Sequence, residues 1–178
     1  MRICVFCASS EEINNSYYEA TVLLAKDFVK NNIEVVYGGG AIGLMGTLAD
    51  TIIKNGGIIR GIIPKFMVDR GWAHKNVTEL VITDSMYERK AKYLEDIDGI
   101  VALPGGSGTL EELLEVITLK RLGQFSKPII ILDTNGFYEP LKKMFLKCVD
   151  ENFMHREDLK MWTFLEEPSQ VLEYLNKE

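Results

Sequence analysis

Leu103-Pro104-Gly105-Gly106-Ser107-Gly108-Thr109-Leu110-Glu111-Glu112 carries more chemistry than any other stretch of the chain. Its three glycines let successive backbone N–H groups turn toward one point, which makes a nest for an anion. The helix expected to follow adds the positive end of its dipole, and Ser107 and Thr109 add hydroxyls. The chemistry is phosphate binding. The loop is not a Walker loop, because its spacing differs and no Lys-Ser/Thr pair follows. Two acids stand beside it. Neighbouring helical residues point about 100° apart, so Glu111 and Glu112 cannot both face a ligand. Two readings are open. Thr109-x-x-Glu112 has the form of a capping box, and acids favour a first helical turn. Alternatively, one glutamate sits beside a sugar, where it stabilises positive charge at an anomeric carbon or activates water.

Gly38-Gly39-Gly40-Ala41-Ile42-Gly43-Leu44-Met45-Gly46 is the second glycine-rich stretch. It admits ligand contact through Gly39, Gly40 and Gly43, or a purely structural tight turn. It also contains G-x-G-x-x-G, the dinucleotide fingerprint. Against that third reading, it follows the second expected strand rather than the first. The next strand runs into Pro64-Lys65, with no acid for a ribose hydroxyl.

Met86-Tyr87-Glu88-Arg89-Lys90-Ala91-Lys92 is the densest basic stretch in an otherwise acidic chain. Such a run is either a solvated helix face or a source of charged donors, Arg89 or Lys90, to the same crevice. Cys4-Val5-Phe6-Cys7 spells C-x-x-C, but on a strand, where residues three apart face opposite ways. Buried, inert thiols are expected. His74 and His155 have no partner at zinc-ligand spacing, so no metal site is expected.

The elements that must position these residues follow from hydrophobic period. Ile3–Cys7, Glu34–Tyr37, Ile58–Ile63, Glu79–Thr83, Ile100–Leu103 and Ile129–Leu132 read as strands, several of them continuously apolar, as in a parallel sheet covered on both faces. Ser16–Asn31, Leu44–Asn55, Ser85–Asp96, Thr109–Leu122, Phe137–Glu151 and Ser169–Asn176 read as helices. The alternation predicts an α/β fold: a Rossmann-like, doubly wound, mainly parallel sheet flanked by helices on both faces. Both glycine stretches then fall at carboxyl ends of strands, where such sheets bind ligands. The apolar residues of Thr109–Leu122 spread around the helix, which predicts a second buried face, as in a homodimer.

The chain has 178 residues, 47% apolar and 26% charged, which suits a single domain over residues 1–178. A formal net charge of −6 argues against a nucleic-acid binder. No apolar run approaches the roughly 18 residues of a membrane span, and the N-terminus lacks a signal-peptide core. A cytoplasmic protein without membrane partners is expected.

Together, three of these stretches resemble one family, the cytokinin-activating "lonely guy" phosphoribohydrolases, which also carry the label lysine decarboxylase. The family's P-G-G-x-G-T-x-x-E is matched by Pro104, Gly105, Gly106, Gly108, Thr109 and Glu112. Its G-G-G-x-x-G-L-M-G is matched by Gly38 to Gly46, and its M-x-x-R-K by Met86, Arg89 and Lys90. The resemblance implies hydrolysis of the N-glycosidic bond of N6-substituted adenosine monophosphates, or AMP, to free base and ribose 5-phosphate. It implies no cofactor and a homodimer with sites near the subunit contact. It makes Arg89 and Glu112 the catalytic pair and Gly106, Ser107, Gly108 and Thr109 the phosphate cradle, with Gly105 at its start. Lys90, Glu111 and Thr118 become substrate contacts, and Met86 lies near the base. Three positions depart from the family pattern. Gly71 stands where many relatives carry glutamate, Ser107 where tyrosine is common, and Arg121 where glutamine is common. The rival reading is a non-catalytic nucleotide sensor or cofactor carrier on a related fold. It does not need Arg89 and Glu112 together. A nicotinamide oxidoreductase lacks its ribose acid, and a lysine decarboxylase would need a pyridoxal-phosphate lysine.

Overall fold

Ile3, Val5, Val35, Ile59, Val101 and Ile130 face one helical layer, while Cys4, Phe6, Val36, Ile62, Ile100 and Ile131 face the other. Strands apolar on both sides are stable only when covered on both sides. The computed structural model, which describes residues 1–177, builds that arrangement. The strands are β1 (Arg2–Phe6), β2 (Glu34–Tyr37), β3 (Ile59–Pro64), β4 (Glu79–Thr83), β5 (Gly99–Ala102), β6 (Ile129–Leu132) and β7 (Thr163–Leu165). They form one sheet in the order β4-β3-β2-β1-β5-β6-β7. Every pairing is parallel. The expected Rossmann-like α/β fold is the one observed, with the parallel character complete.

The helices are α1 (Asn15–Lys30), α2 (Gly43–Lys54), α3 (Lys65–Asp69), α4 (Met86–Tyr93), α5 (Ser107–Arg121), α6 (Glu139–Asp150) and α7 (Ser169–Leu175). Leu24 and Phe28 of α1, Leu44, Leu48 and Ile52 of α2, and Val171 of α7 pack on one face. Tyr93 of α4, Leu113, Val116 and Ile117 of α5, and Phe145 of α6 pack on the other. The C-x-x-C cysteines are split between these layers, Cys4 in one and Cys7 in the other. Burial pushes both thiols well above their ordinary range, which suits inert core residues rather than a redox pair.

Two elements carry no usable sequence signal. The five-residue α3 follows Pro64, and the three-residue β7 sits on the sheet edge beside β6, each too short for a period to show. One expectation fails at a point that matters. α5 starts at Ser107, with Gly106 as its N-cap and no side-chain cap bond. Thr109 is therefore inside the first turn, and the capping-box reading of Thr109 and Glu112 is wrong. The helix takes in Ser107 and Gly108, so it starts two residues earlier than the last glycine suggests.

Candidate active site

The switch point of the sheet lies between β1 and β5, because the chain leaves β1 toward β2 and returns later to pair its other edge. Loops after these strands diverge there and leave a crevice. In this chain the crevice is a cavity of about 640 Å³. Its walls come from four strand ends: Cys7 to Ser10 after β1, Gly38 and Gly40 after β2, Ile63 in β3, and Gly106 to Thr109 after β5.

Arg89, in the middle of α4, points into this crevice and is only 5% exposed. Its Nε donates to the Ile62 carbonyl at 3.0 Å and its Nη2 to the Gly38 carbonyl at 2.8 Å. Nη1 faces Met86 Sδ at 3.7 Å, and the guanidinium carbon lies 5.3 Å from the centre of the Tyr93 ring. Two strand ends and a ring thus hold the group, and Nη1 is the nitrogen left for a ligand. Gly38 explains part of the first glycine stretch. A Cβ there would stand 2.6 Å from Arg89 Nη2, so only glycine lets the arginine reach that carbonyl. Gly43 serves a different end. Its φ is +61°, and a Cβ would fall 2.5 Å from the Ser10 carbonyl oxygen, so it permits the tight start of α2 against the β1 loop.

Glu112 sits one and a half turns into α5 and is 8% exposed. Its Oε1 is 4.0 Å from Arg89 Nη1, an ion pair without a formed hydrogen bond. Burial pushes its pKa up to about 7, opposed by Arg89 and assisted by the nearby Glu111. A carboxyl poised near neutrality, beside a fixed cation in a cleft, suits proton transfer or charge stabilisation. Beside it, the first turn of α5 leaves the N–H groups of Ser107, Gly108 and Thr109 without intrahelical acceptors, and no side chain caps them. An uncapped helix start of this kind favours an anion.

The structure gathers Met86, Arg89, Gly40, Gly106, Ser107, Gly108, Thr109, Glu111 and Glu112 around the one cavity. It places other expected contacts elsewhere. Gly39, Gly43 and Gly105 shape the turns but do not line the cavity. Lys90 follows Arg89 in sequence yet leaves the helix on the other side, pairing with Glu111 at 2.6 Å and Glu115 at 3.2 Å. Thr118 is exposed on α5, its hydroxyl donating to the Leu114 carbonyl. Of the two acids, Glu112 faces inward, and Glu111 is half-exposed and holds Lys90.

Sequence reasoning missed the lining by Ser9, Ser10, Ile42, Met45, Met67 and Trp72. Ser9 and Ser10 follow β1, so the rule that ligands sit at strand ends would have found them. Trp72 offered a weaker sign, a large aromatic next to glycine in a loop. The Trp72 segment is tied to the glycine loop by Ala41 N–H to the Trp72 carbonyl at 3.1 Å and His74 N–H to the Gly39 carbonyl at 2.9 Å. The His74 ring accepts from Asn76 N–H at Nδ1 and meets Asp50 through Nε2 at 3.1 Å. That histidine is structural.

Comparison with known proteins bears on the chemistry. Residues 45–175 match the family described as "Possible lysine decarboxylase". The chain is 43% identical over 153 residues to the cytokinin riboside 5'-monophosphate phosphoribohydrolase LOG2 of Arabidopsis thaliana, covering 86% of this chain and 72% of that one. It is 40% identical over 174 residues to a probable enzyme of the same name, LOGL6, from Oryza sativa subsp. japonica, covering 98% and 70%. In three dimensions it resembles the molybdenum cofactor binding protein of Rippkaea orientalis, with a TM-score of 0.74, 18% identity, and 99% and 95% of the two chains covered. The molybdenum cofactor carrier protein of Chlamydomonas reinhardtii gives a TM-score of 0.73 at 16% identity, with 99% and 98% covered. At those identities the likeness is one of fold.

Proposed function

The chain belongs to the family described as possible lysine decarboxylases, and on that premise we propose that it is a nucleoside 5'-monophosphate phosphoribohydrolase. It cleaves the N-glycosidic bond of adenosine 5'-monophosphates, N6-substituted ones in particular, to free base and ribose 5-phosphate. The observation that carries this reading is one juxtaposition. A buried carboxyl and a buried guanidinium share a cavity with an uncapped helix start. A decarboxylase using pyridoxal phosphate does not fit, since no lysine lines this cavity among the described residues and Lys90 is turned to Glu111 and Glu115.

The phosphate docks on the N–H groups of residues 107–109, and this remote binding holds the anomeric carbon over Glu112. As the C1'–N9 bond breaks, positive charge develops on the ribose. Ionised Glu112 stabilises that charge and takes a proton from the water whose oxygen bonds to C1'. The base leaves with the bonding electrons and takes up a proton from solvent, and Glu112 later returns the water's proton to solvent, so one water is added across the C1'–N9 bond. Arg89 does not act as an acid, because its pKa exceeds about 12. Anchored on Ile62 and Gly38, it positions the substrate through Nη1 and keeps Glu112 from being neutral throughout.

The test is release of free base from AMP and from adenosine, measured by chromatography. Adenosine is expected to react at least about a hundredfold more slowly in kcat/KM, the size of effect expected when remote binding energy is removed. Equal rates would refute the cradle. Binding of AMP without release of base would favour a carrier.

The same reading takes the enzyme as a homodimer. Leu114, Thr118 and the C-cap Leu122 succeed one another at four-residue steps in the C-terminal half of α5, and Leu114 and Leu122 are 40% and 60% exposed. A stripe of this kind suits a helix-to-helix seam. Thr118, which does not reach its own cavity, lies on it. Leu114→Glu is expected to turn a dimer into a monomer at micromolar concentration in sedimentation velocity. A monomeric wild type would remove the seam. Among the described residues no helix is long and apolar enough to cross a membrane. The reading places the enzyme in the cytoplasm, where the free Cys4, Cys7 and Cys148 stay reduced.

A further inference from the structure

We propose that Trp72 is a specificity-determining residue of this cavity, its indole forming the stacking wall for an apolar substituent on the exocyclic amine of the base. The proposal rests on the phosphoribohydrolase reading for the direction in which the nucleotide lies. The phosphate cradle follows β5, and the Trp72 segment follows β3. In the sheet these strands are separated by β1 and β2. The Trp72 segment is bonded to the loop after β2, so the far wall lies two to three strand spacings from the cradle, about 10–14 Å at roughly 4.8 Å each. A nucleotide with its phosphate on residues 107–109 and its ribose over Glu112 directs its base along that line. The amine of that base then points toward the far wall, where a substituent on it would meet Trp72.

The far wall is apolar where the near one is polar. Ile42, Met45, Met67 and Trp72 line it, without a charged side chain among them. Trp72 is 49% exposed at the mouth, a large apolar surface left open to water. It is also held in place. The Arg70 guanidinium lies 5.2 Å from the Trp72 ring centre and 5.6 Å from the Phe66 ring centre. The Trp72 carbonyl is bonded to Ala41, and Ala73 bridges Gly40. No other aromatic ring packs on Trp72 among the described residues. Its backbone and one cation–π contact are thus fixed while ring surface remains for a ligand. A braced, half-exposed indole loses little freedom on binding a flat apolar group, which is what makes aromatic walls selective. The side chains of Ile42, Met45, Met67 and Trp72 carry no carboxylate or amide for the bare amine of AMP, so they act on an apolar substituent.

The experiment compares AMP with N6-benzyladenosine 5'-monophosphate on the full chain, with Trp72→Ala and Trp72→Phe. Trp72→Ala is expected to lower kcat/KM on the benzyl nucleotide by about tenfold and on AMP by less than about twofold, in keeping with the size of one stacking contact. Trp72→Phe keeps most of the preference. Equal losses on both nucleotides, or no loss on either, would overturn the assignment. A binding readout separates this outcome from failure of the hydrolase reading. The benzyl nucleotide is expected to quench the fluorescence of the wild type but not that of Trp72→Phe, which retains only the buried Trp162. If base is released from neither nucleotide, hydrolysis is wrong while quenching still upholds the wall. If base is released but quenching is absent, the wall is wrong and hydrolysis stands.

Discussion

Glu112→Gln is expected to slow base release by at least about a hundredfold while making the folded chain more stable above neutral pH. The two effects have one cause. Burial raises the Glu112 pKa from the ordinary carboxylate range to about 7, so the fold holds the carboxyl's proton more tightly than the unfolded chain does. Between the two the native state binds more protons, so stability falls as pH rises through this window. Above about pH 7 the full cost of holding an ionised carboxylate in the core is present, roughly 3 kcal/mol for a shift of this size. Glutamine carries no charge and escapes it. Urea titrations at pH 5 and pH 8 would show the wild type losing stability between them and Glu112→Gln losing less. Turnover should rise with pH through about 7 in the wild type, since the ionised form is the active one. A variant that keeps near-normal turnover would exclude Glu112 from the chemistry. One that gains no stability at pH 8 would show that the carboxylate is better compensated than its surroundings indicate.

Arg89→Ala is expected to reduce turnover to a similar degree but with the opposite effect on the fold. Removing the guanidinium leaves the Ile62 and Gly38 carbonyls without their donor and Glu112 without its cation. Breaking one side of a buried ion pair typically costs about 3–5 kcal/mol. Part of that cost is avoided here, because Glu112 can take up a proton instead. The pH midpoint of any residual activity should therefore move upward. Arg89→Lys separates the two functions. A lysine supplies charge but not the planar fork that spans two carbonyls. It should recover more of the stability than of the turnover. Normal kinetics in Arg89→Ala, with the protein folded by circular dichroism, would remove Arg89 from the site.

These two residues also mark how far a sequence can be read. The sheet and most of its helices follow from alternating apolar runs, because a parallel strand buried on both faces leaves an unbroken signal. The loop at Gly105–Gly108 was legible for the same kind of reason, since glycine crowding is a local property, although none of these glycines has a positive φ. Orientation was not. Arg89 and Lys90 are neighbours of the same charge, and one turns into the core while the other pairs with α5. The difference comes from carbonyls on β2 and β3, far away in the chain. Glu111 and Glu112 are separated in the same way, by the exact residue at which α5 begins. The capping-box reading placed that start at Thr109, whereas Ser107 opens the helix. Trp72 was passed over because the glycine loop, its distant partner, meets it only once β2 and β3 lie side by side.

The order of the strands has a consequence for how the chain is made. Of the seven strands, β1 is the earliest in sequence and the central one in the finished sheet. One of its edges is covered as soon as residues 34–37 arrive, while the other waits for residues 99–102. At roughly 5–20 residues per second, that gap lasts on the order of several seconds. During it, a nascent sheet of β4-β3-β2-β1 presents the open edge of a strand apolar on both faces, a ready template for a neighbouring nascent chain. The crevice is also unformed during that interval, because its anion nest follows the strand that closes the edge. The arrival of β5 thus covers the central strand and begins the candidate site in the same step, while the outer edge of β5 waits for β6.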